Sequence, residues 1–195
     1  MDIAPTAIAD VIRLTPRRFD DARGFFTETY SRRALAEAGV KIDFVQDNLA
    51  YSRESGTVRG LHFQAPPAAQ AKLVSVLTGA VLDVALDLRT GSPTFGRHVA
   101  VEVAAESGEQ LLVPAGFAHG YCTLAPDTRV AYKVSESYAP EHERGVLWND
   151  PALAIPWPVA PAEAKVSERD QAWPRLAEIV SPFAYRAART ERVAP

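Results

Sequence analysis

Ala80-Val81-Leu82-Asp83-Val84-Ala85-Leu86-Asp87-Leu88 is the stretch whose reading decides the fold. Leu82, Val84, Leu86 and Leu88 recur at every second position, with Asp83 and Asp87 between them. Successive side chains of a strand point to opposite faces, so a period of two predicts a half-buried β-strand. The same alternation appears in Val99, Val101 and Val103, and again in Val130, Tyr132 and Val134. Turn signals punctuate these runs at Ser55-Gly56, Thr78-Gly79, Thr90-Gly91-Ser92-Pro93 and Ser107-Gly108. Val11–Arg18 and Phe44–Ser52 are expected to add further strands.

Short strands at a spacing of about 8–12 residues, with little helix between them, favour an antiparallel sandwich or barrel over a parallel α/β sheet. One short helix is well marked: Ser31 as N-cap, Arg32–Ala38 as its body and Gly39 as its stop. Five of the fifteen prolines then fall between Pro140 and Pro161, which predicts irregular chain crossing the surface. Ser167-Glu168-Arg169-Asp170 reads as a helix start, and Pro174–Val180 as a short helix. Arg186–Pro195 reads as a loosely held end. The expectation is one mainly β domain over 1–195: N-terminal strands and a helix in 1–43, a core at about 44–135, and an irregular, helical segment in 136–195.

Composition narrows the function. The 195 residues carry 21 Lys+Arg against 24 Asp+Glu, a net charge of −3, so no basic stripe for nucleic acid is indicated. An anionic ligand must then be captured by a local cluster of Arg and Lys. Cys122 is the single cysteine, which excludes an intramolecular disulfide and a multi-cysteine zinc site within one chain. No apolar run approaches the ~18 residues of a membrane span. The start, Met1-Asp2-Ile3-Ala4-Pro5, lacks the basic and apolar regions of a signal peptide, so a soluble cytoplasmic protein is expected.

Several residues could carry chemistry. In Arg59-Gly60-Leu61-His62-Phe63-Gln64, strand parity puts Leu61 and Phe63 with Arg59 on one face, and His62 and Gln64 with Gly60 on the other. A lone histidine most often makes structural hydrogen bonds, but one flanked by Gly and Gln also has room for a ligand. Lys72 shares parity with Val74 and Val76, so its amine either snorkels to solvent or points into a cavity where an anion could meet it. Tyr132, between Val130 and Val134, is either a core tyrosine or a phenol projecting into a barrel lumen. Arg23 lies among the aromatics of Phe19–Tyr30, a segment that by itself reads as a surface turn although its arginine could hold phosphate.

Gly108-Glu109-Gln110-Leu111-Leu112-Val113-Pro114-Ala115-Gly116-Phe117-Ala118-His119 resembles the second motif of the cupin superfamily, a small jelly-roll barrel. Metal-binding cupins also carry an H-x-H motif followed by Glu. The four histidines here, His62, His98, His119 and His142, include no such pair, which favours a metal-free pocket.

Taken in series, Asp21–Glu28, Phe44–Asn48, Arg59–Gln64, Lys72, Pro114–Leu124, Tyr132–Val134, Tyr138–Gly145, Trp148–Pro151 and Ser167–Asp170 resemble the dTDP-4-dehydrorhamnose 3,5-epimerase family in order and spacing. The resemblance implies a cupin-type antiparallel jelly-roll barrel with a few short peripheral helices. It also implies a homodimer, in which an N-terminal segment packs across the partner, and catalysis without metal or organic cofactor. The implied substrate is a dTDP-4-keto-6-deoxy-hexose, inverted at both carbons flanking the ketone. His62 then matches the base, Asp170 its orienting carboxylate and Tyr132 the acid, with Lys72 near the C4 oxygen. Arg23, Glu28, Gln46, Asn48, Arg59, His119, Tyr138 and Glu143 match substrate-contacting positions. Phe19 and Phe26 match aromatics near the nucleotide. Arg169 stands where family members often have Lys, so the positive charge is kept.

Those residue types suit the chemistry. Removing a proton beside a ketone throws charge onto the carbonyl oxygen, so a site needs a base and a positive donor at that oxygen. Inversion needs reprotonation from the opposite face. The alternatives are a related epimerase acting at one carbon, a metal-dependent cupin enzyme, and a sugar-nucleotide-binding cupin without catalysis.

Overall fold

The computed structural model describes residues 1–186. Most of the expected end, Arg186–Pro195, therefore lies outside the described residues. Thirteen strands appear in chain order: β1 (Asp2–Pro5), β2 (Ile12–Thr15), β3 (Arg18–Asp21), β4 (Gly24–Thr27), β5 (Gln46–Ser52), β6 (Val58–Gln64), β7 (Lys72–Thr78), β8 (Ala80–Asp87), β9 (His98–Ala104), β10 (Gln110–Val113), β11 (Phe117–Thr123), β12 (Thr128–Val134) and β13 (Glu143–Gly145). A six-stranded sheet runs β1-β2-β10-β7-β12-β5, and a five-stranded sheet runs β13-β6-β11-β8-β9. Every neighbouring pair within them is antiparallel.

Val74, Val76, Leu111, Val113 and Val130 from the first sheet meet Val81, Ala85, Val99, Val101, Val103, Phe117 and Tyr121 from the second in one buried cluster. This is the inside of the barrel, and it is dry at the end where these β-branched side chains fill it. β2 lies within the six-stranded sheet, so the N-terminal strands are built into the barrel wall.

β8 differs from the half-buried strand that its alternation suggests. Val81–Asp87 are buried on both faces. Leu82, Val84, Leu86 and Leu88 pack outward under Leu153, Trp157, Leu176, Ile179 and Phe183 of the C-terminal chain. Asp83 and Asp87, each 0% exposed, face away from that cover and are held by partners: Asp83 by His119 and Asp87 by Arg89, Ser92 and Thr94. The proline-rich and terminal segments thus close the second face of a sheet that would otherwise be wet.

Two short α-helices are present among the described residues. In α1 (Arg32–Glu37) the Ser31 hydroxyl accepts from the Ala34 N–H, and Leu35 is the buried anchor. The expected body ran to Ala38, which instead caps the helix before Gly39 turns left-handed at φ +88°. In α2 (Glu168–Gln171) Ser167 caps through the Asp170 N–H, as its sequence suggests. Pro174–Val180 forms only a 3-10 turn at Leu176–Glu178. Phe19–Tyr30, which reads as a surface turn, contains the β3–β4 hairpin, standing as its own two-stranded sheet. No helix among the described residues is long and apolar enough to cross a membrane.

Candidate active site

One end of the barrel opens into a cavity of about 930 Å³ whose walls include Arg59, His62, Lys72, His119, Tyr121, Tyr132, Tyr138, Glu143, Arg169 and Asp170. His62 and His119 project from the five-stranded sheet, where they are register partners on β6 and β11. Tyr132 and Lys72 project from the six-stranded sheet, on β12 and β7, where Tyr132 pairs with Val74 and is therefore a diagonal neighbour of Lys72 on one face. An imidazole on one wall thus faces a phenol and an amine on the other.

The Nε2 of His62 lies 2.7 Å from Oδ1 of Asp170, whose carboxyl is 95% shielded by its surroundings. The second oxygen, Oδ2, accepts the Gly60 N–H at 3.2 Å. Burial alone would raise the Asp170 carboxyl, but the hydrogen bond from His62, its charge, the Gly60 N–H and Arg169 together hold it below its ordinary value. An ionised carboxylate only accepts, so Nε2 is the nitrogen that donates to it. Nδ1 is the ring nitrogen that Asp170 does not engage.

Arg59 reaches this cavity by a bulge. His119 pairs with His62 and Tyr121 with Arg59, so two steps along β11 match three along β6. The extra residue reverses strand parity at Gly60-Leu61. Arg59 therefore joins His62 on the cavity wall, whereas unbroken alternation puts it with Leu61 and Phe63. Only glycine fits here: at Gly60, with φ +133°, an added Cβ would stand 2.5 Å from the Gly120 Cα. Arg59 is steadied by donating to the Ser52 hydroxyl and the Tyr51 carbonyl, at 3.3 and 2.9 Å.

Lys72 is depressed to about 8 by burial, against the opposing pull of Asp83 and Glu143. Burial raises the Tyr132 phenol above its ordinary value, with Arg59 opposing and Glu143 reinforcing. It therefore stays protonated near neutrality and can act as an acid. His119 is held by both oxygens of Asp83 at 2.9 and 3.0 Å. Glu143 accepts from the Tyr138 hydroxyl and from Arg169, each at 2.7 Å.

Gln46 and Asn48 line an adjoining smaller cavity together with His62, Lys72 and Tyr132. The Gln46 side chain donates to Asn48 at 2.8 Å and accepts the Tyr138 N–H at 3.0 Å. Phe19, Arg23, Phe26 and Glu28 do not line either cavity. They lie on or just after the exposed hairpin, where Arg23 is paired with Asp21 at 2.6 Å and Phe26 is 70% exposed. Among the described residues, no three His, Cys, Asp or Glu side chains are grouped to hold a metal ion.

Reading the sequence missed three residues of this neighbourhood. Asp83 fixes His119; Val81 and Ala85 share its parity and mark that side of β8 as interior, so a buried partner could have been inferred. Tyr121, 4% exposed, lines the cavity, and burial pushes its phenol up to about 12. Gln64 is buried and ties down the loop carrying Tyr138, donating to the Ala68 and Ser137 carbonyls and accepting the Ala139 N–H at 2.8 Å. No local pattern announces that last contact, since its partners lie far along the chain.

The family model described as dTDP-4-dehydrorhamnose 3,5-epimerase matches residues 5–178. A dTDP-4-dehydrorhamnose 3,5-epimerase of Sinorhizobium fredii (strain NBRC 101917 / NGR234) is 47% identical over 179 residues, 92% of this chain and 91% of that protein. The crystal structure of the Bacillus anthracis str. Ames enzyme of that name, with TDP and PPi bound, has a TM-score of 0.86 and 51% identity, covering 89% of this chain and 98% of that one. The Legionella pneumophila Philadelphia 1 enzyme, in complex with dTDP-4-keto-L-rhamnose, has a TM-score of 0.90 and 40% identity, covering 95% and 99%. The shared architecture is the cupin-type jelly roll, as the sequence resemblance implies. With that fold and a match spanning most of its length, the chain belongs to the dTDP-4-dehydrorhamnose 3,5-epimerase family.

Proposed function

We propose that this protein converts dTDP-4-dehydro-6-deoxy-D-glucose to dTDP-4-dehydro-L-rhamnose, inverting C3 and C5, as a step of dTDP-rhamnose formation. The observation that carries the assignment of roles is the His62–Asp170 pair on one barrel wall, facing Tyr132 and Lys72 on the other. His62 Nδ1 takes the proton beside the ketone, and the resulting imidazolium is stabilised by the Asp170 carboxylate. The Lys72 ammonium meets the charge that develops on the C4 oxygen, in a cavity where a preorganised cation acts more strongly than in water. Tyr132 returns a proton to the opposite face, and the product is the inverted carbon. Each inversion leaves a proton on His62 and a phenolate on Tyr132, and exchange of both with water resets the pair before the second carbon reacts.

Arg59 and Arg169 on the cavity wall are the cations suited to the diphosphate, anchoring the substrate away from the reacting carbons. His119, Tyr138, Glu143, Gln46 and Asn48 supply further polar contacts to the sugar and nucleotide.

Phe19, Arg23, Phe26 and Glu28 contribute in a homodimer, where the exposed hairpin of one copy reaches the cavity of the other. The exposed apolar side chains Phe25, Phe26, Val45, Leu49 and Leu77, 54–70% accessible, support a covered interface on this side of the six-stranded sheet.

The test is NMR of the dTDP-4-keto sugar incubated with the protein in D₂O. Deuterium at both C3 and C5, with L-sugar product, is the expected result. Exchange at one carbon alone would make it a single-carbon epimerase, and exchange at neither would refute the reading.

A further inference from the structure

Trp173 lies three residues beyond Asp170, outside the catalytic cavity. It lines instead an apolar hollow behind it, with Phe63, Gly145, Pro174 and Ile179. Its indole presses on Gly145: a Cβ at that position would stand 2.5 Å from the ring. Gly145 is the register partner of His62 across β13 and β6. The indole also meets the His62 ring edge-on, at 6.3 Å between centroids and 69° between planes. Among the described residues its Nε1 is buried with no acceptor. Desolvating an indole N–H without a partner is unfavourable, so the ring is held there by its packing and by the chain on either side. On that chain, the Pro174 carbonyl accepts the Leu147 N–H at 2.8 Å.

Asp170 needs such a brace. It sits on α2, a helix of four residues that hydrogen bonds of its own cannot make rigid. The His62–Asp170 contact joins groups 108 residues apart, and nothing covalent nearby fixes its length.

We infer that Trp173 is a positioning residue for the catalytic pair: by wedging its indole over Gly145 and against His62, it holds the Asp170 carboxylate on Nε2 and aims Nδ1 into the cavity. The inference rests on the epimerase reading for its kinetic consequence but not for its geometric one. Loosening the wedge lets the carboxylate drift from the imidazole, so the Nε2–H contact to Oδ1 of Asp170 and the ring's orientation are no longer held. The other charged or titratable groups lining the cavity around His62 are Arg59 on its own strand, Lys72 and Tyr132 on the facing sheet, His119 and Tyr121 on β11, and Tyr138, Glu143, Lys165 and Arg169 on the rim. All of them remain when the indole is removed.

The experiment compares full-length wild type, Trp173→Ala and Trp173→Phe below all three melting temperatures, measuring kcat, KM and the hydrogen-bonded Nε2–H signal of His62 by ¹⁵N NMR. In Trp173→Ala, kcat is expected to fall about 10- to 100-fold, the scale of a misplaced catalytic group. KM should change little and the hydrogen-bonded Nε2–H signal of His62 should be lost or broadened. Trp173→Phe, which keeps a flat ring over Gly145, should recover most of both. Gly145→Ala, which pushes the indole aside without deleting it, should reproduce the loss and serves if Trp173→Ala does not fold. Wild-type kcat and a wild-type His62 Nε2–H signal in a folded Trp173→Ala or Gly145→Ala would overturn the inference, however far the melting temperature fell. If wild type itself exchanges no substrate hydrogen, the epimerase reading fails, while the His62 Nε2–H signal still decides the role of the indole.

Discussion

His62 and Asp170 are 108 residues apart in the chain and 2.7 Å apart in space, and only the carboxylate's partnership gives the imidazole a defined tautomer. Asp170→Asn should therefore be nearly as harmful as losing the base. The amide can offer its own N–H to Nε2 and reverse the tautomer, protonating the nitrogen that should face substrate. His62→Ala and Asp170→Asn are each expected to slow hydrogen exchange by about 10²–10⁴, with circular dichroism unchanged. An Asp170→Asn variant at wild-type rate would contradict the assigned tautomer.

Lys72 sets an alkaline limit. Its pKa is lowered to about 8 by burial, so the ammonium is lost as pH rises through that value rather than near 10.5. With the ammonium as the proposed donor to the C4 oxygen, kcat/KM should fall about tenfold per pH unit above this point in free enzyme. Lys72→Met should be slow at every pH and lack that limb. Steady-state rates across the range check it, and a wild-type profile flat to about pH 9.5 would count against the role.

In the proposed mechanism Tyr132 serves only the second half of the exchange. Tyr132→Phe should lose inversion by about 10²–10³, while deuterium still enters the substrate through His62. NMR separates the two, because washout with retained configuration leaves the original sugar labelled. Equal loss of exchange and inversion would instead make Tyr132 part of the deprotonation step.

Asp87 governs stability rather than chemistry. It is 0% exposed and accepts from Arg89, Ser92 and Thr94 at 2.6–2.9 Å. Burial would raise its carboxyl, but those donors hold it below its ordinary 3.8. A depressed carboxyl stabilises the fold above the unfolded value, and that stability is lost as pH falls below 3.8 through the folded value. Asp87→Ala leaves the Arg89 guanidinium, 12% exposed, without its main partner, at a cost of about 3–5 kcal/mol. Denaturant melts at neutral pH measure it, and a loss under about 1 kcal/mol would show the pair to be dispensable.

Phe26 tests the partner contribution. At 70% exposure it does little for its own fold, so Phe26→Ser should leave the melting temperature of the monomeric unit alone. It should raise KM for the dTDP-sugar and weaken the dimer in sedimentation. A monomer at all concentrations in wild type would remove the basis for the hairpin's role.

Much of this cavity is legible in the sequence. Alternation in β8, β9 and β12 points to an antiparallel sandwich or barrel, and the family resemblance carried by Arg59–Gln64, Lys72, Tyr132 and Ser167–Asp170 singles out residues that the fold brings to one cavity. Three things were not legible, for physical reasons. The bulge at Gly60-Leu61 reverses parity, so alternation misplaces Arg59 relative to His62. Asp83 and Asp87 look like solvent-facing residues until tertiary partners and the C-terminal cover are known, because burial of a charge depends on what pairs with it. Trp173 and Gly145 touch across 28 residues, and a glycine chosen for a neighbouring ring leaves no periodic trace.

The most direct measurement is a structure of the protein holding the dTDP-4-keto sugar. The account predicts His62 Nδ1 over one face of the hexose at the carbons beside the ketone, the Tyr132 hydroxyl over the other face, and Lys72 Nζ within hydrogen-bond distance of the C4 oxygen. A hexose bound with His62 and Tyr132 on the same face, or with its ketone turned away from Lys72, would contradict it.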